Sequence, residues 1–137
     1  CACVLTLADL LCIDLFVTKY GGVVLMELAP RPHNSGHYTI AACSFDPFDA
    51  HIRGIAGWPL EQPQLLKPAV MVNVLGQHVA PTRALIADHP EWNVHDYCKA
   101  EVRHDRKMGH ITVLTDDTAE TVADLESTGC WNDLKKA

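Results

Sequence analysis

The chain has 137 residues, of which 48% are hydrophobic and 20% charged, and its formal net charge is −6. These proportions are typical of one ordinary soluble globular domain or of two small ones. The negative charge disfavours a general nucleic-acid binder, because such a protein needs a basic surface to neutralise phosphates.

The first 17 residues are mostly apolar, but they indicate neither a secretory signal nor a membrane helix. Asp9 and Asp14 interrupt the run, no basic region precedes it, and nothing in the chain approaches the ~20 apolar residues of a membrane helix. The six cysteines are scattered without a Cys-x-x-Cys pair, which disfavours a zinc ribbon and indicates reduced thiols in a cytoplasmic protein. Because the first residue is Cys and not Met, we expect the chain to be a piece of a longer one.

The first predicted element is a β-hairpin, with strands over residues 10–18 and 23–28 joined by a glycine-bearing turn. Folding it about the middle of that turn gives the pairs Thr18–Val23, Phe16–Leu25 and Asp14–Glu27. Like charges placed opposite each other destabilise a hairpin by roughly 0.2–1 kcal/mol unless a cation compensates. Mg²⁺ would do so, since one or two carboxylates bind it while nucleotide phosphates complete its shell. The alternatives are a different register, or two solvated acids at the hairpin end.

The segment Glu27–His37 follows directly and combines a carboxylate, a guanidinium, two imidazoles, an amide and a hydroxyl. Pro30 and Pro32 stiffen its backbone, and Gly36 allows a tight turn. A stiff polar segment that leaves a strand is suited to holding several ligand-binding groups in one place. The alternative is a proline-rich polar loop without a ligand.

The remaining pattern predicts an α+β chain with a division near residues 60–68. Asp46 as N-cap and Pro47 at the first helical position predict a helix that Gly57 closes. The other predicted elements are, in chain order, a linker over 61–68, a strand over 69–75, a short helix over 81–88, strands over 94–99 and 110–115, and a helix from Asp117 to about Ser127.

Four cations lie within nine positions between Lys99 and Lys107, in an otherwise acidic chain. Arg presents a planar fork to phosphate and Lys adds a mobile charge, so a small anionic ligand such as a sugar phosphate suits this cluster. The alternative is a solvated charged turn between two strands. The chain has neither a Walker-type loop nor a nucleophile elbow, so the main phosphate grip for any nucleotide is expected elsewhere.

Together these motifs resemble one enzyme family, the 5-(carboxyamino)imidazole ribonucleotide synthases, which are ATP-grasp enzymes of purine biosynthesis. The resemblance rests on the segments Glu27–His37, Asp49–Arg53, Trp58–Leu60, Met71–Gly76 and Arg106–Thr112. It covers nearly the whole chain but only the carboxy-terminal part of such enzymes. It implies that residues 1–64 are the carboxy-terminal half of the ATP-grasp core domain and that residues 65–137 are a small, barrel-like α+β domain.

The resemblance also implies an ATP-dependent ligase, in which bicarbonate is phosphorylated to carboxyphosphate and 5-aminoimidazole ribonucleotide is then carboxylated. The implied Mg²⁺ ligands are Asp14 and Glu27, and the residues beside ATP are Met26 and Glu27. The implied catalytic residues, around bicarbonate and the aminoimidazole, are Arg31, His33 and Asn34. The implied grip on the ribonucleotide phosphate is Lys99, Arg106 and Lys107.

The chain departs from the family pattern in four places. Where the family usually has Glu and Asn, this chain has Asp14 and Met26. Asp14 is a shorter metal ligand than Glu, and Met26 lacks the polar group that Asn places beside the nucleotide. Asp46-Pro47-Phe48 replaces Ser-Gln-Phe at the start of a helix, and His104-Asp105 replaces a Pro-Gly turn.

We expect the isolated chain to be inactive in the absence of the amino-terminal half with its ATP-grasp lid. A homodimer is expected from the family alone, and neither nucleic acid nor membrane is an expected partner. Two alternatives stay open: a non-catalytic sugar-phosphate-binding or diverged remnant module, and a related ATP-grasp ligase such as a formate-dependent transformylase.

Overall fold

The computed structural model describes residues 10–132, so the apolar start of the chain with Asp9 lies outside the described residues. The chain forms two compact units that divide between Leu66 and Lys67. The predicted division lies two residues earlier, and the domain assignment of each unit stays a prediction. Within residues 10–132 no helix has the length and apolar character needed to span a bilayer.

The first unit begins with the predicted hairpin, formed by β1 (Cys12–Val17) and β2 (Val23–Ala29). A 3₁₀ turn follows at Asn34–Gly36, and then the short helix α1 (Thr39–Ala42). One face of the hairpin carries Asp14 and Glu27. Because side chains alternate between the faces of a strand, the other face carries only apolar pairs: Ile13–Leu28, Leu15–Leu25 and Val17–Val23.

Helix α2 (Pro47–Ala56) has the predicted capping. Asp46 Oδ1 accepts hydrogen bonds from the backbone N–H groups of Phe48 and Asp49, at 2.7 and 3.0 Å. Gly57 ends the helix with φ 64°, a left-handed conformation that glycine adopts without steric cost. The segment predicted as a linker partly belongs to this unit, since the backbone of Leu65 forms an isolated antiparallel β-bridge with the backbone of Cys43.

The second unit is built on an antiparallel sheet of three strands in the order β3 (Ala69–Leu75), β5 (Lys107–Leu114) and β4 (Trp92–Asp96). Its helices are α3 (Val79–Leu85), flanked by 3₁₀ turns at Gly76–His78 and Ile86–Asp88, and α4 (Thr118–Ser127). The buried core of this unit consists of Val74, Trp92, Ile111, Val113, Leu125, Cys130 and Trp131. The predicted α+β class is confirmed.

Three predicted elements in this unit have wrong bounds. Helix α3 begins at Val79, ahead of Pro81, because proline is tolerated in the first turn of a helix. Strand β4 begins at Trp92, whose side chain is buried, and ends at Asp96 instead of residue 99. Strand β5 begins at Lys107, because a glycine at position 109 lets its backbone pass close to the carbonyl of His95.

Candidate functional site

The centre of the hairpin turn lies half a residue earlier in the chain than predicted, and this changes which residues pair near the turn. Thr18 N–H donates to the carbonyl of Gly22 at 2.8 Å, and Gly21, at φ 78°, donates to the carbonyl of Thr18 at 2.9 Å. This is a three-residue loop centred on Tyr20. The predicted pairs Thr18–Val23 and Phe16–Leu25 are therefore wrong, and the observed pairs are Val17–Val23, Phe16–Val24 and Leu15–Leu25.

A β-bulge at Met26 reverses this offset. The pairing shifts by one residue between Leu15 and Asp14, so that Met26 is the extra residue on β2. Asp14 then lies directly opposite Glu27, as predicted. Met26 itself is about half exposed.

His33 lies between these two carboxylates. Its Nδ1 is 3.3 Å from Asp14 Oδ2, and its Nε2 is 3.5 Å from Glu27 Oε2. Sequence reasoning grouped His33 with the bicarbonate pocket, whereas the structure brings it to the predicted metal ligands. Ligand atoms of the three side chains all lie within 4.8 Å of one another. We call Asp14, Glu27 and His33 the acidic cluster.

Ser35 ties the acidic cluster together. Its hydroxyl donates to Asp14 Oδ1 at 2.8 Å and lies 3.0 Å from His33 Nδ1. A hydroxyl has one proton, so Ser35 accepts from His33 and the imidazole carries a proton on Nδ1. The Nε2 atom is then the one that faces Glu27. Ser35 belongs to the predicted polar segment, but its role depends on a contact across 21 residues that no local pattern indicates.

The donor chemistry of the acidic cluster fits a hard divalent cation. Mg²⁺ prefers carboxylate oxygens and usually keeps several water ligands. The side chains of Asp14 and Glu27 are 21% and 44% exposed, which leaves room for water or phosphate oxygens. The imidazole of His33 is a softer ligand, better suited to transition metals. Asp14 and Glu27 are thus the residues that fit Mg²⁺, with His33 as their neighbour.

The other predicted residues of this unit lie along the segment that leaves β2. Arg31 is exposed, and its Nη1 donates to the carbonyl of Pro32 at 3.1 Å. Asn34 begins the 3₁₀ turn directly after His33 and is half-buried. The structure therefore places a guanidinium and an amide on the same short segment as the imidazole of the acidic cluster.

In the second unit the predicted cations lie on the connection between β4 and β5, which we call the cationic loop (residues 97–106), and on the first residue of β5. Lys99 Nζ donates to the carbonyl of Lys107 at 2.6 Å, and Arg106 Nη1 donates to the carbonyl of Glu101 at 3.2 Å. Lys99 is half-buried, whereas Arg106 and Lys107 are exposed. Arg103 instead forms an ion pair with Glu101.

Asp96 shapes the entry to the cationic loop. Its Oδ1 accepts from the N–H of Cys98 and its Oδ2 from Arg83 Nη2, both at 2.8 Å. The Cys98 N–H and then Arg83 hold the pKa of the Asp96 carboxyl below its usual value of 3.8. Within this turn Cys98 has φ 51°, so the backbone leaves the direction of β4 just before Lys99. Sequence reasoning missed Asp96, because the pattern alone extended the strand to residue 99.

A cavity of about 360 Å³ lies beside the cationic loop. Of the predicted phosphate ligands, Lys99 lines it, while Arg106 and Lys107 do not. Much of its lining is apolar: Val74, Val79, Ile86, Val94, Val102 and Met108. This arrangement provides an apolar surface next to one ammonium group.

Comparison with known proteins confirms the resemblance seen in the motifs. Residues 2–48 match the ATP-grasp domain family, and residues 69–124 match the phosphoribosylaminoimidazole carboxylase C-terminal domain family. The N5-carboxyaminoimidazole ribonucleotide synthase of Staphylococcus saprophyticus is 49% identical over 110 residues, which are 80% of this chain and 29% of that protein. The chain thus spans less than a third of the length of this curated relative.

Solved structures of such enzymes share the fold. The Staphylococcus aureus N5-carboxyaminoimidazole synthetase complexed with ADP gives a TM-score of 0.80 at 44% identity, over 85% of this chain and 31% of that one. The Aspergillus clavatus N5-carboxyaminoimidazole synthase, in complex with ADP and 5-aminoimidazole ribonucleotide, gives 0.75 at 32% identity, over 85% and 33%. Over the part of those enzymes that it matches, the chain therefore belongs to the N5-carboxyaminoimidazole ribonucleotide synthase family.

Proposed function

We propose that this chain is the carboxy-terminal part of an ATP-dependent ligase that carboxylates 5-aminoimidazole ribonucleotide with bicarbonate. The observation that carries the proposal is the acidic cluster, in which Asp14 and Glu27 face each other beside His33. The comparisons support the proposal through a relative, 32% identical, whose solved structure is in complex with ADP and 5-aminoimidazole ribonucleotide.

In this proposal Asp14 and Glu27 hold Mg²⁺ against the phosphates of ATP. When bound, the ion supplies neutralisation of the negative charge on the transferred phosphoryl group. Met26, on the bulge between the strands, lies beside the nucleotide. Its thioether replaces the amide that the family usually has there, so this chain binds nucleotide with one polar contact fewer.

Arg31, His33 and Asn34 are proposed to line the pocket for bicarbonate and the aminoimidazole ring. A guanidinium presents two parallel N–H donors to a planar oxyanion such as bicarbonate. When the amine of the ribonucleotide bonds to the carboxyl carbon of carboxyphosphate, phosphate leaves and the amine gives up a proton. That proton needs an acceptor within hydrogen-bond reach, and His33 is the imidazole that the segment supplies there.

Lys99, Arg106 and Lys107 are proposed to bind the phosphate of the ribonucleotide. The backbone carbonyls of Lys107 and Glu101 hold the ends of the Lys99 and Arg106 side chains, which limits the side-chain entropy lost on binding. Arg106 and Lys107 are exposed to an incoming anion. The remaining partners in the proposal are the amino-terminal part of the enzyme and, from the family alone, a second copy in a cytoplasmic homodimer.

Calorimetric titration of the folded chain with 5-aminoimidazole ribonucleotide at low salt tests the proposal, with ribose 5-phosphate as the control ligand. We expect the ribonucleotide to bind more tightly, and Arg106→Ala to weaken it by about tenfold or more, since one charge-assisted hydrogen bond is lost. Arg103→Ala is the matched variant, because it removes the same charge from a side chain already paired with Glu101. It should change the affinity much less.

Absence of binding by a chain shown to be folded by circular dichroism would overturn the proposal. Equal affinity for ribose 5-phosphate would instead favour a sugar-phosphate-binding module without catalytic function.

A further inference from the structure

The cationic loop ends in a tight turn with an unusual residue at its third position. Arg106 N–H donates to the carbonyl of Arg103 at 3.1 Å, which closes the turn, and Asp105 has φ 60°. Turns with positive φ at the third position favour Gly or Asn. This chain has His104-Asp105 at the two central positions, so it reaches this backbone shape with a residue that adopts it less readily than glycine does.

Gln77, in the 3₁₀ turn that directly follows β3, bonds to this tight turn. Its Nε2 donates to Asp105 Oδ1 at 3.0 Å, and its Oε1 accepts from the Asp105 N–H at 2.9 Å. One carboxamide thus fixes both the side chain and the backbone of Asp105. The other oxygen of that carboxylate, Oδ2, lies 3.1 Å from His104 Nδ1.

The backbone next to Gln77 also contacts the turn. A Cβ atom at Gly76 would lie 1.9 Å from the carbonyl oxygen of Arg103, so only glycine allows this approach. The 3₁₀ turn after β3 therefore touches the tight turn at its first residue, through Gly76, and at its third residue, through Gln77. Lys107, the residue after the turn, pairs with Leu75 of β3.

We infer that Gln77 is a positioning residue, which holds Asp105 in the left-handed conformation and thereby orients Arg106 and Lys107 for a phosphate monoester. The identity of the ligand rests on the proposed function, whereas the orientation of the turn does not. The side chain of Gln77 acts through Asp105, because its carboxamide bonds to both the carboxylate and the backbone N–H of that residue. A glycine at position 105 would adopt this conformation without such a contact.

Two substitutions test the inference without a large change in size. Gln77→Glu keeps the acceptor for the Asp105 N–H but replaces the donor with a carboxylate that faces the Asp105 carboxylate. Adding Asp105→Asn reverses the pair, since the introduced amide donates to the introduced carboxylate while the backbone bond is retained. We expect Gln77→Glu to weaken binding of 5-aminoimidazole ribonucleotide about tenfold, and the double variant to recover most of that loss.

A second pair of variants tests whether Asp105 still needs the contact with Gln77 when its own conformation is relaxed. Asp105→Gly supplies a residue that adopts positive φ freely, so Gln77→Ala should weaken binding in the wild-type background but much less in the Asp105→Gly background. Equal losses in the two backgrounds would overturn the inference, because Gln77 would then act independently of Asp105.

Amide hydrogen exchange at Asp105 and Arg106, measured by NMR without ligand, separates this inference from the proposed function. We expect faster exchange at both amides in Gln77→Glu and a return to the wild-type exchange rate when Asp105→Asn is added. That result supports the role of Gln77 in positioning Asp105 even if the wild-type chain binds no ribonucleotide. Unchanged exchange in Gln77→Glu, with circular dichroism showing a folded chain, would overturn it. A binding loss that the double variant does not recover would overturn it as well.

Discussion

Asp14 lies directly across the hairpin from Glu27 because two one-residue offsets in the strand pairing cancel. The three-residue loop centred on Tyr20 moves β2 by one position relative to a symmetric four-residue turn. The bulge at Met26 moves it back. Without the bulge Asp14 would face position 26, and the two carboxylates would not share one face of the hairpin.

The first prediction concerns the two carboxylates. Asp14→Asn and Glu27→Gln should each weaken Mg²⁺ binding by about tenfold or more, because Mg²⁺ is held by only one or two carboxylates in such sites. Calorimetric titration of the chain with MgCl₂ measures this. Asp49→Asn is the control, since it removes the same charge from the same unit at an ion pair with Arg53. A loss of similar size in all three variants would contradict a specific site.

Ser35 is the subject of the second prediction. Ser35→Ala removes the hydroxyl that donates to Asp14 and accepts from His33. We expect the ¹⁵N NMR signals of the His33 ring to shift towards a mixture of tautomers, because Nδ1 loses one of its two acceptors. Ser35→Thr should restore the wild-type signals, since it retains the hydroxyl. Identical ring signals in Ser35→Ala and wild type would show that Asp14 alone orients the imidazole.

Elements with local signals were predicted well from the sequence. Helix α2 starts and ends where Asp46, Pro47 and Gly57 indicate, because capping depends on residues within one turn of the helix end. The hairpin was also predicted from local signals, namely two apolar runs on either side of a glycine-bearing turn. Its register was only partly right, since loop length and a bulge are set by backbone geometry that the apolar pattern does not encode.

Contacts between distant segments were not predictable. Gln77 and Asp105 are separated by 28 positions and belong to different motifs, so no spacing rule connects them. The end of β4 was placed three residues too late because Asp96 bends the chain through its own side chain. The opposition of Asp14 and Glu27 was predicted correctly, although the predicted register lacked both offsets that produce it.

The third prediction concerns the start of α4. Asp117 Oδ1 accepts from the N–H groups of Ala119 and Glu120, both at 3.0 Å. Asp117→Ala should lower the free energy of unfolding by about 1 kcal/mol, the usual cost of losing an N-cap, as measured by urea denaturation. Asp116→Ala is the control, because its exposed ion pair with Lys67 is worth roughly 0–1 kcal/mol. Equal losses in the two variants would argue against the cap.

The fourth prediction is a pH dependence that Asp96 confers. Hydrogen bonds from the Cys98 N–H and from Arg83 lower the pKa of Asp96 in the folded chain below 3.8, so the folded state favours the ionised carboxylate. A depressed pKa stabilises the fold above the unfolded value, and this contribution is lost as the pH falls through the folded value. The stability difference between wild type and Asp96→Asn should therefore be constant near neutral pH and shrink below about pH 4.

The effect of Asp96 will be small, because its side chain is 47% exposed and solvent screens the interaction with Arg83. Thermal melts between pH 3 and 7 in matched buffers measure it, and Asp116→Asn corrects for the loss of one negative charge. A difference that stays constant to the lowest pH would mean that the Asp96 carboxylate does not stabilise the fold. Since Asp96 accepts the hydrogen bond from the Cys98 N–H just before Lys99, Asp96→Ala should also weaken ribonucleotide binding at neutral pH, whereas Asp116→Ala should not.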